Sequence, residues 1–221
     1  PRDLTITRFP TWGDAAHLSD ILDVRRVGDG RFRSVARSDW RRPVVEGSQM
    51  LGQAMVAAQR SSPGRRQVWA AMAFVRGSDA ALPLDVSLEP VSDGRTFTSY
   101  AARISQGDRV CASGTVLLDV TAPDAIRHSV EPPDVPGPLE CPPYDMSVSG
   151  RDVRFVDDAY TGDPDAPVGP PMLDCWVRFR ALPDDPALRA GLLAQFTGHL
   201  PIAAALRPHA GVGQDQAHRT L

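Results

Sequence analysis

Met50, Leu51, Ala54, Met55, Ala57 and Ala58 recur at helical spacing after Glu46, and Ser61-Ser62-Pro63-Gly64 stops the run. The pattern predicts one long helix from Glu46 to about residue 60. Upstream, residues 21–27 and 31–36 flank Gly28-Asp29-Gly30, a hairpin signal. Downstream, residues 68–75 are nearly all apolar, as expected of a strand buried on both faces. Residues 83–91, 96–105 and 109–120 then read as an antiparallel meander, with turns at Ser92-Asp93-Gly94 and Gln106-Gly107-Asp108. A lone helix between a hairpin and a meander should lie across one face of the sheet, which is an α+β arrangement.

Residues 121–143 hold Pro123, Pro132, Pro133, Pro136, Pro138, Pro142 and Pro143. Proline lacks an amide donor and fixes φ, so neither helix nor central strand runs through here. The chain therefore divides into an N-terminal unit over 1–120, a proline-rich linker over 121–147 and a C-terminal unit over 148–221. The second unit begins like the first. Residues 153–156 and 173–181 read as strands, and Asp184-Asp185-Pro186 is a helix start with Asp as N-cap and Pro at the first helical position. Leu188, Leu192, Leu193 and Phe196 give the helical stripe, and Pro201 should kink or restart it. No meander follows before Leu221. The expectation is that the chain continues past Leu221, the alternative being strands supplied by another chain. The opening Pro1 likewise suggests residues upstream.

The chain has 221 residues, 42% of them hydrophobic and 23% charged, an ordinary balance for a globular protein with a real core. No run approaches the length of a membrane span. The net charge of −3 gives no reason to expect a nucleic-acid partner. All 24 basic residues are Arg, which removes Schiff-base and P-loop lysine chemistry. Cys111, Cys141 and Cys175 are odd in number and widely spaced, unlike a disulfide framework or a zinc site, and fit a reducing cytoplasm. No Gly-rich phosphate loop, His-Glu-x-x-His or Gly-x-Ser-x-Gly is present.

A hairpin, a central helix and a meander, begun twice across a proline-rich link, is the layout of a double hotdog. Local stretches sharpen this. Residues 44–54, with Gly47-Ser48-Gln49, resemble the Gly-Gly-Gln helix start of the acyl-CoA thioesterase II family. Phe74 to Asp79 with Leu82-Pro83-Leu84, the turn Asp93-Gly94-Arg95-Thr96-Phe97, Trp176-Val177-Arg178 before Leu182-Pro183-Asp184-Asp185, and Leu200-Pro201 through Leu206-Arg207-Pro208-His209 are similar to that family in the same order. The resemblance implies a tandem hotdog with its second unit incomplete in this chain. It also implies hydrolysis of acyl-CoA thioesters to free CoA and a carboxylic acid, with no metal and no cofactor.

Thioester hydrolysis needs an activated water, a donor for the developing oxyanion and an apolar slot. The backbone amides of Gly47, Ser48 and Gln49, in the first helical turn, are the candidate oxyanion donors and substrate-binding groups. The resemblance expects a Ser/Thr-Asp step in the second helix, where the Asp orients the water. Here Thr197-Gly198 stands at that step, so Gly198 occupies the acid's position, and no carboxylate lies between Asp185 and Asp215. The remaining catalytic candidates are Gln195 and Thr197, which could position a water, and His199, which could act as general base. The alternative is a non-catalytic acyl-CoA-binding or interaction protein of the same fold that has lost the catalytic Asp. Either reading expects acyl-CoA as partner and a homodimer or higher oligomer built by sheet pairing.

Overall fold

The computed structural model describes residues 15–34, 44–123, 126, 128–144, 150–157, 163–198 and 200–213 (backbone alone at 15–17). Ala16–His128 together with Leu182–Gly198 form one compact unit, and the described residues of 129–181 and 200–213 belong to another.

The first unit is a six-stranded antiparallel sheet with helices. Its strands are β1 (Arg25–Gly28), β2 (Arg31–Ser34), β3 (Arg65–Phe74), β4 (Leu84–Asp93), β5 (Phe97–Gln106) and β6 (Arg109–Val120), ordered β1-β2-β4-β5-β6-β3. The expected turns close it. Gly30 and Gly107 both take φ of +58°, and a side chain at Gly30 would start 2.5 Å from the Leu88 carbonyl oxygen. Pro90 lies in β4 beyond the four residues that pair with β2, so its missing amide leaves no gap in that ladder.

Helix α2 (Gly47–Ser61) crosses this sheet. Its Met50, Ala54, Val56, Ala57 and Ala58 join Phe32, Leu84, Val86, Ile104, Ala112, Val116 and Leu118 in one buried cluster. The small residues of α2 let the helix sink close to the sheet, giving the helix-in-sheet arrangement of a hotdog unit.

Two expectations are corrected here. Residues 21 and 22 are not strand. They end a helix, α1 (Ala15–Leu22), whose Leu18, Ile21 and Leu22 are buried at i, i+3 and i+4. Nor is β3 buried on both faces. It is the sheet's edge, paired with β6 alone, and Val68, Trp69 and Phe74 are 44%, 53% and 51% exposed. An unbroken apolar run suggests a strand buried on both faces, but here it forms a half-exposed edge strand, because the run does not say where in the sheet the strand lies.

Helix α3 (Pro186–Thr197) runs antiparallel to α2 and packs on it. Close approach is possible because glycines meet at the crossing. A side chain at Gly52 would start 2.8 Å from Leu22 Cδ2 and 3.0 Å from the Gly191 oxygen, and one at Gly191 would start 2.9 Å from Val56 Cγ2. At one end of the pair Arg60 acts as a clasp. It donates to Asp23, to the Val24 carbonyl at 2.7 Å and to Asp185 Oδ2 at 2.7 Å, tying the end of α2 to the segment after α1 and to the start of α3. Asp185 also accepts from the Ala187 amide at 2.8 Å, as the sequence predicts for an N-cap.

In the other unit β7 (Pro143–Tyr144), β8 (Arg151–Phe155) and β9 (Cys175–Phe179) form an antiparallel sheet ordered β7-β8-β9. The linker is held locally, with Trp176 Nε1 donating to the Pro136 carbonyl at 2.9 Å. Pro201 restarts the chain as α4 (Pro201–Leu206), and His209 closes that turn through its amide bond to Leu206, 2.9 Å. Cys111 and Cys141 are buried and Cys175 is half-buried, all three as free thiols. Burial, aided by Asp174, pushes the Cys175 thiol up.

Two outcomes are expected. Gly191→Val should destabilise by about 1–3 kcal/mol, because overpacking must separate α2 from α3; urea unfolding with an unchanged m-value checks it. The second concerns Asp185. Burial pushes its carboxyl up, but Arg60 and the amides of Ala187 and Leu188 pull it further down, so it ends below its ordinary value. The sign follows. The folded group holds its proton less tightly than the unfolded one, so its contribution is present above the unfolded value and is lost as pH falls towards the folded one. Asp185→Asn keeps a capping side chain. It should therefore lower the urea midpoint slightly at pH 7 and soften the wild-type loss of stability on acidification.

Candidate active site

Glu46 precedes α2 with an extended backbone, φ −65° and ψ 141°, and its side chain makes no capping bond to the helix it opens. Its carbonyl accepts from the amides of Gln49 at 3.1 Å and Met50 at 3.3 Å. That engages one of the three amides expected as oxyanion donors. Gln49 is also turned away by its side chain, which donates to the Ile21 carbonyl at 3.4 Å, beside Gln53 donating to the same atom at 2.7 Å. Both glutamines thus satisfy the C-terminal end of α1. Gly47 and Ser48 remain, half-buried, with no amide hydrogen bond among the described residues. They sit at the positive end of a fifteen-residue helix. The ring of Phe74 lies 3.0 Å from where a Gly47 side chain would begin and so forms an apolar wall against this turn.

Because α3 is antiparallel to α2, its C-terminal end arrives at the same place. Gln195 is fully buried and donates its Nε2 to Glu46 Oε2 at 3.3 Å. Thr197 is exposed, and its hydroxyl donates back to the Ala194 carbonyl at 2.7 Å, so its proton is engaged by the helix. His199 lies outside the described residues.

Gly198, at the position where the resemblance expects an acid, lies against Ser48. A side chain there would begin 2.5 Å from Ser48 Cβ and 2.8 Å from Ser48 Oγ. An aspartate does not fit while residue 48 carries a side chain. The Gly-Gly-Gln start that residues 44–54 resemble would have glycine at position 48, and the resemblance in the second helix expects the acid at position 198. Here the side chain stands on α2 and the glycine on α3, so the gap between the helices is filled from the opposite side.

The described candidates that converge are therefore Gly47, Ser48, Gln195 and Thr197, with Glu46 added. The sequence marks Glu46 only as the residue where the helix begins. The available signal was its residue type. Capping positions favour Ser, Thr, Asp and Asn, and a longer carboxylate at such a position is free to reach elsewhere. Among the described residues no group of His, Cys, Asp and Glu could hold a metal ion, and no helix is long and apolar enough to cross a membrane.

Comparison with known proteins follows the same lines. Residues 36–118, which include α2 and the sheet around it, match the family model described as the acyl-CoA thioesterase N-terminal domain. Three solved structures share the fold. A TesB protein of Mycobacterium avium subspecies paratuberculosis aligns with a TM-score of 0.76 at 24% identity, over 90% of this chain and 76% of that one. The acyl-CoA thioesterase II TesB2 of Mycobacterium marinum aligns at 0.70 and 25%, over 87% and 72%. A conserved protein of unknown function with hot dog fold from Alicyclobacillus acidocaldarius aligns at 0.65 and 18%, over 82% and 68%. No curated protein matches the chain. The chain thus has the hotdog fold, is similar over residues 36–118 to the acyl-CoA thioesterase N-terminal domain and resembles the TesB-type acyl-CoA thioesterase II proteins.

The Ser48–Gly198 fit predicts a coupled pair. Gly198→Asp alone should destabilise, whereas Ser48→Gly with Gly198→Asp should recover most of the loss. A double-mutant cycle by urea unfolding should give a coupling of about 0.5–3 kcal/mol, and additive effects would show that the two positions do not share the space.

Proposed function

We propose that this protein hydrolyses acyl-CoA thioesters to free CoA and a carboxylic acid, at the place where α2 begins and α3 ends. The observation that carries the reading is the acyl-CoA thioesterase domain match over residues 36–118, because it spans the helix start whose Gly47 and Ser48 amides have no partner among the described residues. Those amides would accept the thioester carbonyl oxygen, and their alignment with the helix dipole favours the negative charge that grows there as water adds. Fixed dipoles of this kind need no reorganisation during the reaction, so they act on the transition state more than on the bound thioester. Phe74 and the apolar residues under α2 suit an acyl chain. Thr197, at the end of α3, and on sequence grounds His199 are the other polar groups we assign to the reaction, and we place the protein in the cytoplasm as a homo-oligomer.

The occupied position at Gly198 favours a second reading, an acyl-CoA-binding protein that releases no product. Purified protein assayed for CoA thiol release against short, medium and long acyl-CoA separates the two. The hydrolase reading expects release with at least one chain length, falling sharply when Gly47→Pro removes an amide donor and disturbs the turn. Tight acyl-CoA binding with no thiol release would favour the second reading.

A further inference from the structure

Residues directly across an antiparallel pair share one face of the sheet. In β3, Gln67, Ala70 and Phe74 stand opposite Leu118, Val116 and Ala112, all fully buried in the core that holds α2. A bulge between Gln67 and Trp69 keeps Gln67 on this face although it is three residues from Ala70. This side of β3 therefore faces α2, yet Gln67, Ala70 and Met72 are only half-buried and Phe74 is exposed. Helix α2 presents a matching row. Gly47, Leu51 and Met55 recur every four residues, share one side of the helix and are each half-buried. The adjoining row of Ser48, Gly52 and Val56 is taken up by α3. The first row meets β3 at both ends. At Gly47 the ring of Phe74 closes on the helix turn. At Met55 the backbone carbonyl accepts from Gln67 Nε2 at 2.7 Å. Between these ends runs a trench walled by the apolar side chains of Leu51, Met55, Ala70 and Met72. Its head is the turn that carries the Gly47 and Ser48 amides. Its foot is the Gln67 side chain, which spans from strand to helix and whose amide oxygen is buried.

We propose that Gln67 sets the acyl-chain length in this protein by closing the foot of this trench, and that the substrates are medium-chain acyl-CoA thioesters. This rests on the hydrolase reading above and deepens it by naming the substrate class. The occupant is an acyl chain because the trench continues from the amides that would hold the thioester carbonyl, and the side chains that wall it are apolar. The helix supplies the ruler. Met55 lies eight residues beyond Gly47. At a rise of ~1.5 Å per residue the trench is about 12 Å long, which suits an extended chain of roughly eight to ten carbons. A shorter chain leaves apolar wall in water. A longer one must pull the Gln67 amide off the Met55 carbonyl or turn its end out into solvent, and either route forgoes the gain from burying further methylenes. The crossing amide thereby acts as a stop, and its effect falls on chains that reach it.

The test measures kcat/KM for butanoyl-, octanoyl- and tetradecanoyl-CoA in wild-type protein, Gln67→Ala and Leu51→Trp, with circular dichroism to check the fold. Wild-type protein should favour octanoyl-CoA over the other two. Gln67→Ala removes the stop and should raise the tetradecanoyl-to-octanoyl ratio about tenfold or more, the discrimination that a few methylenes carry in an apolar site. Leu51→Trp fills the trench near its head and should lower the octanoyl-to-butanoyl ratio by a similar factor. Loss of stability alone would not move the two ratios in opposite directions. Gln67→Asn, one methylene shorter, should act in the same direction as Gln67→Ala and takes its place if that variant does not fold. Dissociation constants of the matching S-alkyl-CoA thioethers should follow the same order without turnover. A wild-type protein as active on tetradecanoyl- as on octanoyl-CoA, or either ratio unmoved in a folded variant, overturns the assignment and leaves the hydrolase reading standing. Release of no thiol from any acyl-CoA, with the thioether order retained, overturns the hydrolase reading alone and leaves Gln67 setting chain length for binding.

Discussion

Two helix backbones approach closely only where side chains are missing, and the contact of α2 with α3 depends on that constraint. Gly52 and Gly191 face each other at the crossing, with Leu22 of α1 filling the space beside them. Once the helices are this close and antiparallel, their ends are fixed too. Arg60 meets Asp185 at one end, and Glu46 meets Gln195 at the other. The first end is a clasp and the second is the candidate site. Side chains at the crossing would widen the gap and loosen both.

The sheet has a different task. Its six strands and the core beneath them hold α2 in one position. Small residues on the buried face of α2 give the close packing, and buried apolar residues of β2, β4, β5 and β6 give the cohesion. Gln49 and Gln53 show how α1 is tied in, since both donate to the Ile21 carbonyl at the end of that helix. The polar face of α2 is thus divided. Its glutamines serve the fold, while the Gly47 and Ser48 amides have no partner among the described residues.

The boundaries of α2, the meander turns and the Asp185 cap were legible in sequence because each rests on a local rule of spacing or turn chemistry. Helix α1 was legible in principle through Leu18, Ile21 and Leu22, but a hairpin signal just downstream favours reading the last two as strand. Neither the edge position of β3 nor its exposure was legible, since an apolar run says nothing of sheet order and the neighbours that would cover it are set by the topology. The site was half legible. Gly47 and Ser48 follow from a helix start, which is local. The approach of Glu46 to Gln195 spans 149 positions and depends on how two helices cross. The conflict between a side chain at 198 and Ser48 is likewise a distance between elements, which no spacing rule contains.

The account turns on whether the start of α2 and the end of α3 receive the thioester. A crystal structure of the protein with a non-hydrolysable thioether analogue of acyl-CoA tests this most directly. The account predicts the group standing for the thioester beside the Gly47 and Ser48 amides. An analogue bound with its reacting group remote from that turn would contradict it.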